Sequence, residues 1–191
     1  VTFIYTTSDA VEALMLAKHI AVLDAGEIVE SGEPETLYTN PQQAQTMKFV
    51  GFPQANFLNA SLTLRGNQVT VDCGVFQTTI DTGVAQMQGY ADLVDKASNG
   101  RVAIGIRPEH VTLGDNSATG ALSSSAKVLL LEDLGGEEIA YLDLNGRQIT
   151  TVLRHDREHA PIAIDQQVTI SVNPADLIVF VDGKRIGRGI K

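Results

Sequence analysis

Residues 139–153 read IAYLDLNGRQITTVL, in which two runs of apolar or alternating residues flank the dipeptide Asn145-Gly146. Asn-Gly between such runs is a strong signal of a β-hairpin, because both residues tolerate the positive φ angles of a tight turn. Many short strands separated by turn residues predict an all-β sandwich or barrel over residues 57–191. The other runs of this kind are Phe57–Leu64, Gln68–Val71, Val75–Ile80, Val102–Ile106, Ala126–Leu131, Val168–Val172 and Leu177–Val181.

Two segments interrupt this β pattern. Tyr90–Ser98 has a helical character, and residues 113–125 are rich in Gly, Ser, Asn and Ala. The second composition is typical of a linker. We therefore expect two β lobes in residues 57–191, joined near residues 113–125.

Residues 1–56 mix helix and strand signals. The opening Val1–Tyr5 is apolar and β-branched with no preceding turn, which predicts a buried strand with neighbours upstream and a fragment of a longer polypeptide. A short amphipathic helix capped by Asp9 comes next, followed by a two-stranded hairpin over residues 20–32. Further short helices are predicted at residues 33–38 and 42–50. This part is therefore expected to be mixed α/β.

The charge balance excludes several classes of function. The 191 residues include 14 Lys and Arg against 23 Asp and Glu, a formal net charge of −9. A field of that sign repels phosphate backbones, so nucleic acid is not expected as a partner.

The single cysteine, Cys73, cannot form an internal disulfide, and the longest apolar runs fall well short of the roughly 20 residues of a membrane helix. The sequence predicts a soluble protein of a reducing compartment.

Many ordered positions along the chain resemble one known family. This order of residues resembles the ATP-binding subunits of ABC transporters, and within them the group that imports sugars and glycerol phosphate. The resemblance covers nearly the whole chain, and its specificity comes from the number of positions. Those positions are Tyr5-Thr6-Thr7-Ser8-Asp9, Glu12-Ala13, Ala17, Ile20–Leu23, Gly26-Glu27-Ile28, Gly32-Glu33-Pro34, Leu37-Tyr38, Pro41, Phe49-Val50-Gly51, Pro53, Asn56-Phe57 and Gly105-Ile106-Arg107-Pro108-Glu109-His110.

The resemblance implies an organisation and a set of partners. Residues 1–56 would be the C-terminal end of the nucleotide-binding ATPase domain, and residues 57–191 a regulatory domain of OB-like barrels, the TOBE type. ATP and magnesium are implied as cofactors of the full-length protein. The implied partners are ABC permease subunits, a second ATPase subunit and a regulatory protein. The implied location is peripheral, on the inner face of the plasma membrane through the permease.

The motifs that handle phosphate in this family are missing from the chain. The sequence contains no phosphate-binding loop of the form G-x-x-x-x-G-K-[ST] and no LSGGQ-type signature. The acidic metal-side strand is also expected upstream of residue 1. We therefore expect the full-length protein to be a transport-coupled ATPase, whereas this chain alone should bind no cofactor and hydrolyse no ATP.

Thr7, Ser8 and Asp9 match the switch segment beside the nucleotide in this family. The family usually carries a histidine that reaches the γ-phosphate at the position of Ser8. A serine hydroxyl is shorter than imidazole and has no proton that titrates near neutral pH. We hypothesise a degenerate nucleotide site in a heterodimeric pair. The alternative is that catalysis tolerates Ser8, because lysine and magnesium dominate phosphoryl transfer.

The element Arg107-Pro108-Glu109-His110 allows two interpretations. It could form an interface between β lobes or with a regulatory protein, since Arg and His are good interface donors. It could also be a turn after a strand, in which Pro108 removes a ladder donor and Arg107 pairs locally with Glu109. The sequence leaves both interpretations open.

Two further functions are alternatives to the one that the family resemblance implies. One is a stand-alone module for binding small anions or for dimerisation, because backbone amides can form an anion site regardless of net charge. The other is a zinc hydrolase, because His155-Asp156-Arg157-Glu158-His159 matches the letters H-x-x-E-H. That motif requires a helix, and here it follows a strand-like run and precedes Ala160-Pro161. We therefore expect no metal site.

Overall fold

The computed structural model describes residues 1–65, 68–81, 101–116, 120–154 and 161–188. These residues include helices α1 (Ala10–Leu16), α2 (Pro34–Thr39) and α3 (Ala44–Phe49). None of these described helices has the length and apolar character to cross a membrane. The strands in the described ranges are β1 (Ile20–Asp24), β2 (Glu27–Gly32), β3 (Asn56–Arg65), β4 (Gln68–Asp72), β5 (Gln77–Asp81), β6 (Val102–Ile106), β7 (Val111–Leu113), β8 (Leu122–Asp133), β9 (Glu137–Asp143), β10 (Gln148–Arg154), β11 (Gln167–Val172), β12 (Ile178–Val181) and β13 (Lys184–Arg188).

The helix and hairpin predictions for residues 9–50 are confirmed. The Asp9 carboxylate accepts hydrogen bonds from the backbone amides of Val11 and Glu12, and so caps α1. Strands β1 and β2 pair antiparallel around a turn at Ala25 and Gly26, whose φ angles of 49° and 85° are those of a type I′ turn. Proline at the start of α2 leaves no helical hydrogen bond unmade.

Residues 1–5 form no strand in this structure, so the predicted buried strand with neighbours upstream of residue 1 stays a prediction. These residues form no regular element, and Val1, Phe3 and Ile4 are 114%, 87% and 94% exposed. A strand requires a hydrogen-bonded neighbour, and none of the described segments pairs with residues 1–5. Their apolar side chains are therefore left in solvent.

The β-rich part is built from two antiparallel sheets. One sheet has the strand order β10-β9-β8-β11-β7, and the other has the order β13-β12-β6-β3-β4-β5. Buried side chains from both sheets form one large hydrophobic cluster. The prediction that this part of the chain is mainly β is confirmed.

Two long strands make the sheets curl. The first half of β3 pairs with β6 and its second half with β4. Likewise, β8 pairs with β11 over its first half and with β9 over its second, with a bulge at Leu129. A strand that changes partner along its length bends, and a bulge increases the local twist. The sheets are therefore curled and approach closed barrels.

Several elements differ from the prediction or lie outside the described residues. Strands β7 and β13 were not predicted, and β8 begins at Leu122, inside the expected linker. The predicted helix at Tyr90–Ser98 and the histidines of residues 155–159 fall outside the described ranges. The division into two lobes near residues 113–125 stays a prediction.

Residues 42–44 attach the N-terminal segment to the larger sheet. The amide of Ala44 donates to the carbonyl of Gly183 at 2.7 Å, and the amide of Arg185 donates to the carbonyl of Gln42 at 2.9 Å. Met47 on α3 is fully buried with Ile178 and Phe180 of β12. Backbone pairing and apolar contact thus hold α3 against strands β12 and β13 of the sheet.

Candidate functional site

The predicted switch residues lie together at the entry to α1. The hydroxyl of Thr7 donates to the carboxylate of Glu12 at 2.8 Å and accepts from the amide of Asp9 at 3.0 Å. Tyr5 also donates to Glu12, and this contact raises the pKa of its phenol. Ser8 is exposed. The role of Ser8, Thr7 and Asp9 toward a nucleotide stays a prediction.

Arg107 occupies the centre of a second, buried cluster. Its side chain is only 3% exposed, although it carries a full charge. One guanidinium nitrogen, Nη1, donates to the carbonyls of Met47 and Val50 at 3.0 and 2.5 Å, and Nη2 donates to the carbonyl of Tyr38 at 2.8 Å. These carbonyls lie at or near the ends of α2 and α3, where a cation interacts favourably with the helix dipole. Arg107 therefore serves as a C-terminal cap for two helices.

The ring of Tyr38 completes the surroundings of Arg107. The guanidinium carbon lies 4.0 Å from the ring centroid, within the range of a cation–π contact. The phenol of Tyr38 donates to the carboxylate of Glu109 at 2.5 Å. Burial, followed by that hydrogen bond, raises the pKa of Tyr38 to about 12, and burial lowers the pKa of Arg107. Glu109 thus bonds Tyr38, and the expected local pairing of Arg107 with Glu109 is replaced by contacts to the helices.

Pro108 and His110 form the rest of the element. Residues 108–110 make one turn of 3-10 helix that begins at the buried Pro108. The structure therefore contains the turn after β6 that the second interpretation describes, and a role of this element at an interface stays a prediction. Among the described residues, the buried Nδ1 atom of His110 and the Nε atom of Arg107 have no hydrogen-bond partner.

A small cavity lies beside this cluster. Its volume is about 150 Å³. Charges of both signs line it, so it offers no simple preference for an anion or a cation. The lining residues are Tyr38, Thr39, Arg107, Glu109, His110, Asp176, Ile178 and Arg188.

Glycine is required at two positions around Arg107. Gly51 has a φ of +137°, and a Cβ atom there would lie 2.7 Å from the Nη1 atom of Arg107. Gly105 lies under Met47, where a Cβ atom would approach the sulfur to 2.5 Å. Both glycines therefore allow the N-terminal segment to approach the sheet closely.

Sequence reasoning missed several residues of this cluster. Tyr38 and Gly51 enter the sequence prediction only as positions of the family resemblance, and Arg185 and Arg188 do not enter it. One sequence feature could have indicated the cluster: Arg107 directly follows the apolar run Val102–Ile106, which has the pattern of a buried strand. An arginine at the end of such a strand needs hydrogen-bond acceptors nearby. Within the described ranges, no group of three or more His, Cys, Asp and Glu residues could hold a metal ion.

Comparison with known proteins defines the class of the β-rich part. Residues 104–180, which include the Arg107 element, match the TOBE domain family. A crystal structure of the cytoplasmic molybdate-binding protein ModG with molybdate bound gives a TM-score of 0.48 at 14% identity, over 65% of this chain and 94% of that one. A similarity of that size does not establish a shared fold.

The relatives identify the particular kind of protein. The chain is 32% identical to the maltose/maltodextrin import ATP-binding protein MalK of Vibrio vulnificus, over 80% of this chain and 38% of that protein. It is 31% identical to the sn-glycerol-3-phosphate import ATP-binding protein UgpC of Ruegeria sp., over 97% of this chain and 47% of that protein. The chain thus spans less than half of the length of these relatives. It corresponds to the C-terminal part of an ABC importer ATP-binding subunit and carries a TOBE domain.

Proposed function

We propose that residues 1–56 are the end of a nucleotide-binding domain and that residues 57–191 are its regulatory β domain. The intact subunit would couple ATP hydrolysis to the uptake of a sugar or a glycerol-phosphate-like solute. The observation that carries this proposal is the continuous similarity to the Ruegeria UgpC protein, because it covers 97% of the chain and so includes both parts. The similarity to MalK proteins supports the same reading.

The residues of this chain alone do not fit ATP and magnesium. The carboxylate of Asp9 already accepts two backbone amides of α1, and the sequence contains no glycine-rich loop with a lysine to surround phosphates. ATP and magnesium would therefore be held by the full-length protein, in which Thr7, Ser8 and Asp9 would lie near the nucleotide.

The proposed partners are ABC permease subunits, a second ATPase subunit and a regulatory protein. The subunit would lie in the cytoplasm, on the inner face of the membrane. A net charge of −9 favours attachment through protein contacts over attachment to anionic lipid. The β domain would help to keep two subunits paired.

The Ser8 hypothesis is tested in the full-length ATP-binding subunit. We expect Ser8→His to raise the rate of ATP hydrolysis at least tenfold, because imidazole can reach the γ-phosphate and hold the attacking water. Ser31→His, at an exposed position on β2, is the matched control and should change nothing. Equal rates for the wild type and Ser8→His would show that Ser8 is not the limiting residue.

The alternative of a small-anion-binding module has its own test. Titration of this chain with inorganic phosphate and sulfate by calorimetry should give only heats of dilution if the β domain is purely regulatory. Saturable heat at micromolar concentrations would instead support the anion-binding module and contradict the proposal.

A further inference from the structure

The C-terminal end of α2 is held by three arginines of the β-rich part, one directly after β6 and two on β13. Arg107 donates to the carbonyl of Tyr38 at 2.8 Å. Arg188 donates to the carbonyl of Thr39, and Arg185 to the side-chain carbonyl of Asn40. The end of a helix carries partial negative charge on its unpaired carbonyls, so a cluster of guanidinium groups complements it. We call Arg107, Arg185 and Arg188 the arginine clamp.

Arg107 differs from the other two arginines because it contacts both helices. Its donors reach Tyr38 on α2, Met47 on α3 and Val50 directly after α3. It follows β6, which lies between β12 and β3 inside the six-stranded sheet. Arg107 therefore connects two helices of the N-terminal segment with the interior of the sheet.

Burial makes this connection sensitive to displacement. Arg107 is 3% exposed, so water cannot easily replace a lost carbonyl. An unpaired buried charge is strongly unfavourable, which means that the guanidinium follows its acceptors when they move. The space for adjustment is small on one side, because Gly51 lies against Nη1.

We propose that Arg107 is a positioning residue that transmits displacement of α2 and α3 to strands β6 and β12. This inference rests on the proposed function, in which the N-terminal segment belongs to a nucleotide-driven domain. Nucleotide-dependent movement of the helices would shift the buried guanidinium and thus the strand that precedes it. The bond from Tyr38 to Glu109 adds a second connection across the same boundary.

The test uses hydrogen exchange of the full-length ATP-binding subunit with and without Mg-ATP. In the wild type we expect ATP to change the exchange of α2–α3 and also of β6 and β12. In Arg107→Met the response of α2–α3 should persist, and the response of β6 and β12 should fall at least threefold. Arg107→Lys keeps the charge but not the planar fork, so we expect an intermediate loss. Arg154→Met, at an exposed surface arginine, is the matched control.

The outcomes separate the inference from the proposed function. If ATP changes the exchange of neither part in the wild type, the proposed function is contradicted. If Arg107→Met leaves the ATP response of β6 and β12 at the wild-type value, Arg107 does not transmit the displacement. Should Arg107→Met fail to fold, Arg107→Lys decides the question, because an undiminished response there would overturn the inference. Each response is referred to the same variant without ATP, so a uniform loss of stability does not imitate the expected result.

Discussion

Single buried polar groups connect the parts of this chain at the scale of the residue. Asn56 joins the two sheets, because its side chain donates to the carbonyl of Thr150 at 2.8 Å and accepts from the amide of Thr150 at 2.7 Å. Asn56 begins β3 in one sheet, whereas Thr150 lies on β10 in the other. The asparagine amide imitates a peptide group and completes the hydrogen bonding of an otherwise unpaired backbone position.

We predict that Asn56→Ala lowers the free energy of unfolding by about 2–4 kcal/mol. The substitution leaves the buried amide and carbonyl of Thr150 unpaired, and each such group costs about 1–3 kcal/mol. Urea denaturation followed by circular dichroism measures the change. Asn59→Ala, at an exposed position of the same strand, is the control and should stay within about 0.5 kcal/mol of the wild type. Equal losses for both variants would contradict the role of Asn56.

Tyr38 is predicted to ionise only near pH 12. Its pKa is raised above the ordinary value of 10 by burial and by the hydrogen bond to Glu109. Because folding raises this pKa, protonated Tyr38 contributes its full stabilisation of the folded state below about pH 10. That contribution is lost as the pH rises through about 12. Ultraviolet absorbance during alkaline titration should show a phenol with this late transition.

The assignment of that transition is checked by substitution. Tyr38→Phe should remove the latest phenol transition, whereas Tyr141→Phe should leave it in place. Tyr141 is a suitable control because its phenol also donates to a carboxylate, that of Glu132, but this hydrogen bond is exposed to solvent. Persistence of the late transition in Tyr38→Phe would assign it to another tyrosine.

At the scale of the element, α2 and α3 are too short to be stable alone. Each has six residues, and a helix nucleus fixes several residues before it gains hydrogen bonds. Their stability comes from the arginine clamp, from Met47 and from the small cluster of Val22, Leu37 and Val50. Tertiary contacts thus determine a structure that local propensity only permits.

We predict that a peptide of residues 33–52 is largely unfolded in water. Without the clamp, the carbonyls at the two helix ends lose their cationic partners, and isolated helices shorter than about 12–15 residues are marginal. Circular dichroism of the peptide should give the spectrum of a disordered chain. Trifluoroethanol provides the positive control, because it induces helix in competent sequences. A strongly helical spectrum in water would show that the helices do not depend on the sheet.

At the scale of the whole molecule, the N-terminal segment and the larger sheet share buried surface. Met47 of α3 is 0% exposed and lies against Gly105, whose missing side chain makes the space for its sulfur. Phe180, on the neighbouring strand β12, closes the same space and would lie 3.0 Å from a Cβ atom at Gly105. The two parts of the chain therefore meet through a close fit rather than a flexible connection.

We predict that Gly105→Ala destabilises the chain by about 1–3 kcal/mol, the usual cost of added volume in a filled core. Met47→Ala should relieve part of that cost in the double variant, because it removes the sulfur that the new methyl group would meet. Gly136→Ala is the control, since a Cβ atom there would meet nothing within 4 Å. Additive effects of Gly105→Ala and Met47→Ala would contradict this contact.

The sequence by itself determined most of the secondary structure of the described residues. The hairpin at Asn145-Gly146 follows from local turn chemistry, and both residues have the positive φ angles that such a turn requires. The Asp9 cap and the start of α2 at Pro34 are also local. Strand β7 has only three residues, and β13 contains a single large apolar side chain, Ile186, so neither strand carries the alternation that predicts a strand.

Only the tertiary structure decided how Arg107, Asn56 and Gly105 are used. Along the chain, Arg107 lies 69 positions from its partner Tyr38, and Asn56 lies 94 positions from Thr150. Gly105 lies 58 positions from Met47. Sequence patterns report the neighbours of a residue along the chain, whereas a buried charge or amide depends on acceptors that folding brings together. The predicted strand at residues 1–5 depends on distant partners in the same way, because an apolar run becomes a strand only beside another strand.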